Sequence, residues 1–239
     1  MSTATLVVHG DDGAGGLRTA GSVATTLRDL GFRLQVVDFT RSATTEERSP
    51  DLVVVMGSDA AAYDDSLPWL GPELAHLARV VEDGVPVLGI CFGGQALARV
   101  LGGTVGPASS AEHGLTTVWS LDERLVPPGP WMESHSDAFT LPPGAQEVAR
   151  TDVCLQAFTA GPHLGLQFHP EITPDTFATW VAQWRADDAL PELHRQGLDL
   201  SAVTARIDQD AALLADRCAA LVVAFCRRAG LPAADVPAV

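Results

Sequence analysis

The chain has 239 residues, 46% of them hydrophobic, which is enough to bury a substantial core and sets aside disordered and fibrous classes. Thirty acidic against 15 basic side chains leave a formal charge of −15, a surface that repels phosphate backbones and anionic membranes, so neither nucleic acid nor membrane is expected as a partner. Four cysteines without a C-x-x-C pair, no secretory leader and no apolar run near the roughly 20 residues of a membrane span point to the cytoplasm.

In chain order, "TLVVHG" (5–10) reads as a short buried strand, broken by the glycine-rich turn "DDGAGG". Segment 17–31 follows as a helix, with Leu17, Val23, Leu27 and Leu30 on one face and Gly31 as its stop. A strand over 33–39 and a polar loop to Pro50 lead to "DLVVVMG" (51–57), whose β-branched run suits a strand covered on both faces. A helix over 72–84 opens near Pro72 and closes at Gly84. "PVLGI" (86–90) is the next buried strand, and "GGQALARVLGG" a further helix closed by Gly102 and Gly103. This alternation predicts parallel βαβ units in a three-layer open α/β sheet.

The rhythm then changes. Between 104 and 168 the sequence predicts short strands over 115–121, 153–158 and 164–168, forming an antiparallel or mixed extension of the sheet. Helices return at Thr173, where Pro174 and Asp175 make a helix start, and over 201–230. With no repeat, linker or break in composition, one domain is expected over 1–239, its core over about 5–185 and its C-terminal helices over about 186–230.

The stretch "GICFG" (89–93) lies where a strand meets a helix. It has the form Gly-x-nucleophile-x-Gly, in which the apex side chain projects into a cleft. A helix N-terminus supplies free N–H groups and partial positive charge, which favours a thiolate at Cys91. The N–H of Phe92 is placed to donate to an oxyanion. The plain alternative, a small buried thiol, is weakened by the two glycines and the position.

A cysteine nucleophile needs a histidine base held by an acid or amide. Of the seven histidines, His76 and His194 read as surface or packing residues, and "His113-Gly114" and "Pro162-His163" as turns. His9 ends a strand beside a glycine loop, so a cleft position is open to it. His135, in "ESHSD", sits in a polar loop or turn; Ser134, His135 and Asp137 are too close in sequence to converge as a triad. His169 ends a strand, and Pro170 keeps it extended, so His169 and Glu171 project to the same side. Glu171 then accepts from one imidazole nitrogen while the other faces Cys91. "HGDDGAGG" reads as a turn rather than a phosphate cradle, since it lacks a lysine and carries Asp11 and Asp12. Cys154, Cys218 and Cys226 read as packing residues.

Together, "PVLGICFGGQALARVLGG" and "GLQFHPEIT", supported by "VVVMGSDAAAYDD" and "SHSDAFTLPPGAQEVA", resemble the triad-type (class I) glutamine amidotransferase family, over about residues 50–173. The resemblance implies a Cys91–His169–Glu171 triad and an oxyanion hole of the backbone N–H groups of Gly57 and Phe92. It implies that Gln95 contacts a glutamine substrate, with groups around Ser134, Ser136 and Asp137 holding its α-amino and α-carboxylate ends. No metal or organic cofactor is implied for this half-reaction. Residues 174–239 are too few for a synthetase, so either a separate acceptor-activating protein is the partner or the chain hydrolyses on its own. Two positions depart from the family. Gly94 stands where relatives often carry His or Met, which suggests extra room beside the nucleophile, and Asp59 stands where Gly or a small apolar residue is common.

Three alternatives share parts of this pattern. A γ-glutamyl amide or peptide hydrolase would use the same triad. A cysteine α/β-hydrolase would need Asp137 as the acid, before His169 in the chain. A non-catalytic regulatory subunit would keep the fold alone.

Overall fold

The structure, a computed structural model, describes residues 2–10, 16–41 and 50–233. Most of the glycine-rich turn after His9, with Asp11 and Asp12, and most of the polar loop before Pro50 lie outside the described residues. In chain order the elements are β1 (Thr3–Val8), α1 (Gly21–Asp29), β2 (Arg33–Asp38), β3 (Leu52–Val55) and α2 (Leu70–Glu82). Next come β4 (Val87–Ile90), α3 (Phe92–Val100), β5 (Val105–Ser120), β6 (Gly129–Phe139), β7 (Gln146–Arg150), β8 (Leu155–Ala160) and β9 (His163–Leu166). Three helices close the chain: α4 (Pro174–Ala186), α5 (Leu190–Arg195) and α6 (Leu200–Arg228).

Among the described residues the strands form one sheet in the order β2-β1-β3-β4-β9-β8-β7-β5-β6. From β2 to β9 neighbours run parallel, and from β9 to β6 they run antiparallel. The expected open α/β sheet with an antiparallel extension is therefore the one observed. The unbroken apolar strands explain its three layers, because successive side chains point to opposite faces. Leu6, Val8, Leu52 and Val54 pack on one side with Val23 and Leu27 of α1 and Leu221 and Phe225 of α6. Val7, Val53 and Val55 pack on the other with Leu70 and Leu77 of α2 and Ala96 and Leu97 of α3. A third cluster joins Met132 of β6 to Phe177 and Trp184 of α4 and Ile207 and Leu214 of α6. It seats α4 over the C-terminal end of the parallel strands.

Several boundaries differ from the sequence reading. Segment 115–121 is the end of a 16-residue strand, β5, which pairs with β6 across a register shift between Pro107 and Glu112. The "SHSD" segment is strand rather than loop. Its signal was masked because Glu133 and His135, on one face of β6, are polar yet buried. His113 lies within β5, and His163 begins β9 after a turn at Gly161 and Pro162. Helix α1 starts at Gly21 rather than residue 17, and the short α5 had no apolar period to announce it. Among the described residues, no helix is long and apolar enough to cross a membrane.

Candidate active site

Cys91 occupies the single residue between β4 and α3, with φ 52° and ψ −108°. A non-glycine residue there costs about 1–3 kcal/mol and persists only where neighbours enforce it. They do so here. The Cys91 N–H donates to Leu166 O of β9 at 2.9 Å, and its carbonyl accepts from the Gln95 N–H at 2.9 Å. Helix α3 starts hard against the sheet: a Cβ on Gly93 would lie 2.0 Å from Val55 O, and one on Gly94 2.2 Å from Leu166 O. Gly94 thus does not open space beside the nucleophile. It permits α3 to touch β9. As the first residue of α3, Phe92 has an N–H with no intrahelical acceptor.

Past β9 the chain bends, and the His169 N–H donates to Met132 O of β6 at 2.8 Å. His169 Nδ1 lies 2.7 Å from Glu171 Oε1, and both residues are buried. His169 and Cys91 line the same cavity, near enough for the Cys91 thiol to act on the imidazole electrostatically. Burial opposes a charge on His169, but Glu171 and Cys91 outweigh it and hold the imidazole well above its usual range. Glu171 is fixed from behind, since the Ser22 N–H at the start of α1 donates to its carbonyl at 3.0 Å. Trp180 of α4 meets the His169 ring edge to face, with centroids 4.6 Å apart. A cavity of about 350 Å³ opens over Cys91 and His169, lined also by Gly57, Ser58 and Ser134 and, from α4, by Trp180 and Gln183. Asp59 lines it too, its carboxyl raised by desolvation and then by the charge of Asp187.

The structure thus brings Cys91, His169, Glu171, Gly57 and Ser134 around one cavity, with Phe92 next to Cys91. It directs the other expected substrate contacts elsewhere. The Gln95 amide donates to Gln167 Oε1 (3.3 Å) and Asp137 O (3.4 Å). The Asp137 carboxylate accepts from the Tyr63 hydroxyl at 3.2 Å, and neither Asp137 nor Ser136 lines the cavity. The acid on His169 is Glu171. Sequence reasoning missed Gln167, whose amide donates to Cys91 Sγ at 3.6 Å. Its signal was available, because it lies two residues before His169 at the end of a run that reads as extended.

Behind Ser134, His135 sits between two carboxylates, with Nε2 3.3 Å from Glu112 Oε2 and 3.2 Å from Glu133 Oε2. Cys154 joins this cluster, its thiol donating to Glu112 at 3.7 Å, so it is not in the apolar setting expected of it. Cys218 and Cys226 are buried, and burial pushes both thiols up, the latter to about 12. Glu112, His135 and Cys154 are within reach of a common metal ion. However, Glu112 already accepts from Thr151 and Gln156, and His135 Nε2 lies within ion-pair distance of both carboxylates without one.

This cluster predicts a pH dependence. Burial pushes the Glu133 carboxyl up to about 7. For His135 burial opposes protonation, but the nearby Glu112 and Glu133 carboxylates win and carry it up to about 10. Each group keeps its proton in the folded chain where the unfolded chain has lost it. The stability this adds is fully present below the ordinary values of 4.5 and 6.5 and is lost as pH rises through about 7 and then about 10. Melting temperatures should fall across that window, and His135→Gln should flatten the fall. A flat wild-type profile would contradict the protonated cluster.

Three comparisons follow the same geometry. The profile of the family described as glutamine amidotransferase class-I matches residues 18–186. The chain is 32% identical over 225 residues to GMP synthase [glutamine-hydrolyzing] of Thermomicrobium roseum, covering 82% of this chain and 41% of that protein. With the enzyme of the same name from Mycobacterium tuberculosis it shares 36% over 169 residues, 66% of this chain and 30% of the other. The chain therefore spans less than half the length of these curated relatives. Among solved structures, a glutamine amidotransferase from Thermotoga maritima superposes with a TM-score of 0.81 at 23% identity, covering 95% of this chain and 98% of that one. One from Methylobacillus flagellatus superposes with a TM-score of 0.79 at 23% identity, covering 100% and 98%. At that identity the likeness speaks for the fold.

Proposed function

The chain belongs to the class-I glutamine amidotransferase family, and we propose that it hydrolyses the γ-carboxamide of glutamine through Cys91, His169 and Glu171. The observation that carries this reading is that Cys91, His169 and Glu171 line one cavity, with His169 bonded to Glu171 and Cys91 on a strained elbow at the start of a helix. The Cys91 thiolate attacks the carbonyl carbon of the γ-carboxamide and forms a C–S bond. The carbonyl oxygen takes the charge, facing the Phe92 N–H and the backbone N–H groups of the loop that begins at Gly57. His169 gives its proton to the departing nitrogen, ammonia leaves, and a γ-glutamyl thioester remains. The neutral His169 then takes a proton from water, whose oxygen attacks the thioester. Glutamate departs, and the thiolate–imidazolium pair is restored.

In this reading the ammonia serves an acceptor-activating protein distinct from residues 1–239, as expected for a glutaminase partnered with a synthetase. A diazo-ketone analogue of glutamine should attach to Cys91, located by mass spectrometry, and the chain should release ammonia from glutamine. Absence of both, with and without a co-purifying synthetase, would favour a regulatory subunit that keeps only the fold. One observation supports a second reading, a γ-glutamyl amide hydrolase. The cavity reaches Trp180, Gln183 and Trp184 of α4 beside His169, a wall that suits a leaving group bulkier than ammonia. Amine release from γ-glutamyl amides, compared with ammonia release from glutamine, separates the two.

A further inference from the structure

His9, at the end of β1, is a buried histidine that the triad does not use. Its Nδ1 lies 3.0 Å from Gly57 O, and its Nε2 lies 3.0 Å from each carboxylate oxygen of Glu73 on α2. Both side chains are 1% exposed. A carbonyl only accepts, so Nδ1 carries a hydrogen and donates to Gly57. Nε2 then faces the carboxylate with one proton between them. Trp69 and Phe92 flank the ring at centroid distances of 5.3 and 4.7 Å, so it is held in place. Burying a carboxylate this deeply costs several kcal/mol unless it is paired, and the pair here ends on the backbone beside the nucleophile.

Gly57 is tight against the reacting groups: a Cβ there would stand 3.0 Å from His169 Cε1 and 3.8 Å from Cys91 Cβ. Its carbonyl belongs to the peptide group whose N–H is that of Ser58. In a trans peptide the two point in opposite directions, so fixing the carbonyl fixes the N–H. His9, Gly57, Ser58 and Cys91 line the same cavity.

We propose that His9, backed by Glu73, is a positioning residue that holds the Gly57–Ser58 peptide so that its N–H meets the oxyanion opposite Phe92. The proposal rests on the glutaminase reading above and places the loop donor at Ser58 rather than Gly57. His9→Leu and Glu73→Leu should lower kcat for glutamine by about 10- to 100-fold with little change in KM, the scale of a displaced oxyanion donor. His9→Asn, whose amide can donate to the same carbonyl, and Glu73→Gln should recover most of that loss. Alkylation of Cys91 by iodoacetamide needs no oxyanion donor and should keep its wild-type rate in all four variants. A purely structural role would lower the melting temperature of the leucine variants and leave kcat per folded molecule unchanged, which overturns the proposal. Alkylation falling in step with kcat also overturns it, because the damage would then lie at the triad. Wild-type protein that turns over neither glutamine nor γ-glutamyl p-nitroanilide refutes the glutaminase reading, and a crystal structure of His9→Leu then judges the pair alone. A turned Gly57 carbonyl supports the pair's role; an unmoved one ends it.

Discussion

Glu171→Gln should lower kcat for glutamine hydrolysis by about 10⁴-fold, although it changes one buried oxygen to nitrogen. The carboxylate accepts from His169 Nδ1 at 2.7 Å, which leaves Nε2 free to take a proton from Cys91. A glutamine amide can turn its NH₂ toward Nδ1, and the ring then keeps its hydrogen on Nε2, the nitrogen that must receive one. The same change removes the negative charge that holds His169 well above its usual range. Alkylation of Cys91 at neutral pH should therefore slow along with kcat, while the melting temperature moves little because the volume is conserved. Asp137→Ala is the counterpart. Its carboxylate meets only the exposed Tyr63 hydroxyl among the hydrogen bonds described, so its loss should cost no more than about tenfold. If Asp137→Ala abolished turnover and Glu171→Gln did not, the cysteine α/β-hydrolase reading would replace this one.

What could be read from the sequence follows physical visibility. The parallel half of the sheet was legible because β1, β3 and β4 are covered on both faces and show it as unbroken apolar runs. The elbow was legible because glycines and a cysteine between a strand and a helix leave few other arrangements. His169 and Glu171 were legible from a two-residue period after a strand. The β5–β6 hairpin was not, because its inward positions hold Glu112, Glu133 and His135, and hydropathy reads buried polar residues as surface. The link from His9 to Glu73 joins residues 64 apart in the chain through side-chain hydrogen bonds, which leave no trace in any local pattern. Gln95 was placed by resemblance, whereas its partners are set by β6 and by the residue just past β9, which only the folded chain brings beside α3.

Gly94→Ala should be among the most damaging single-methyl additions in the chain. The new Cβ would lie 2.2 Å from Leu166 O and 3.0 Å from Leu166 N and C. These are backbone atoms of a central strand and cannot rotate away. Leu166 O is also the acceptor that holds the Cys91 N–H at 2.9 Å, so the clash falls on the bond that maintains the elbow's φ of 52°. Either α3 lifts from β9 or the carbonyl turns, and in both cases Cys91 relaxes toward an ordinary conformation and leaves His169. Overpacking of this kind costs about 1–3 kcal/mol, and a misplacement near 1 Å costs about 100-fold in rate. Melting temperature and kcat per folded molecule should fall together, with Cys91 alkylation slowed as well. A Gly94→Ala variant with wild-type kcat would mean that α3 can stand off β9 without disturbing the nucleophile. The glycine would then be a matter of packing alone.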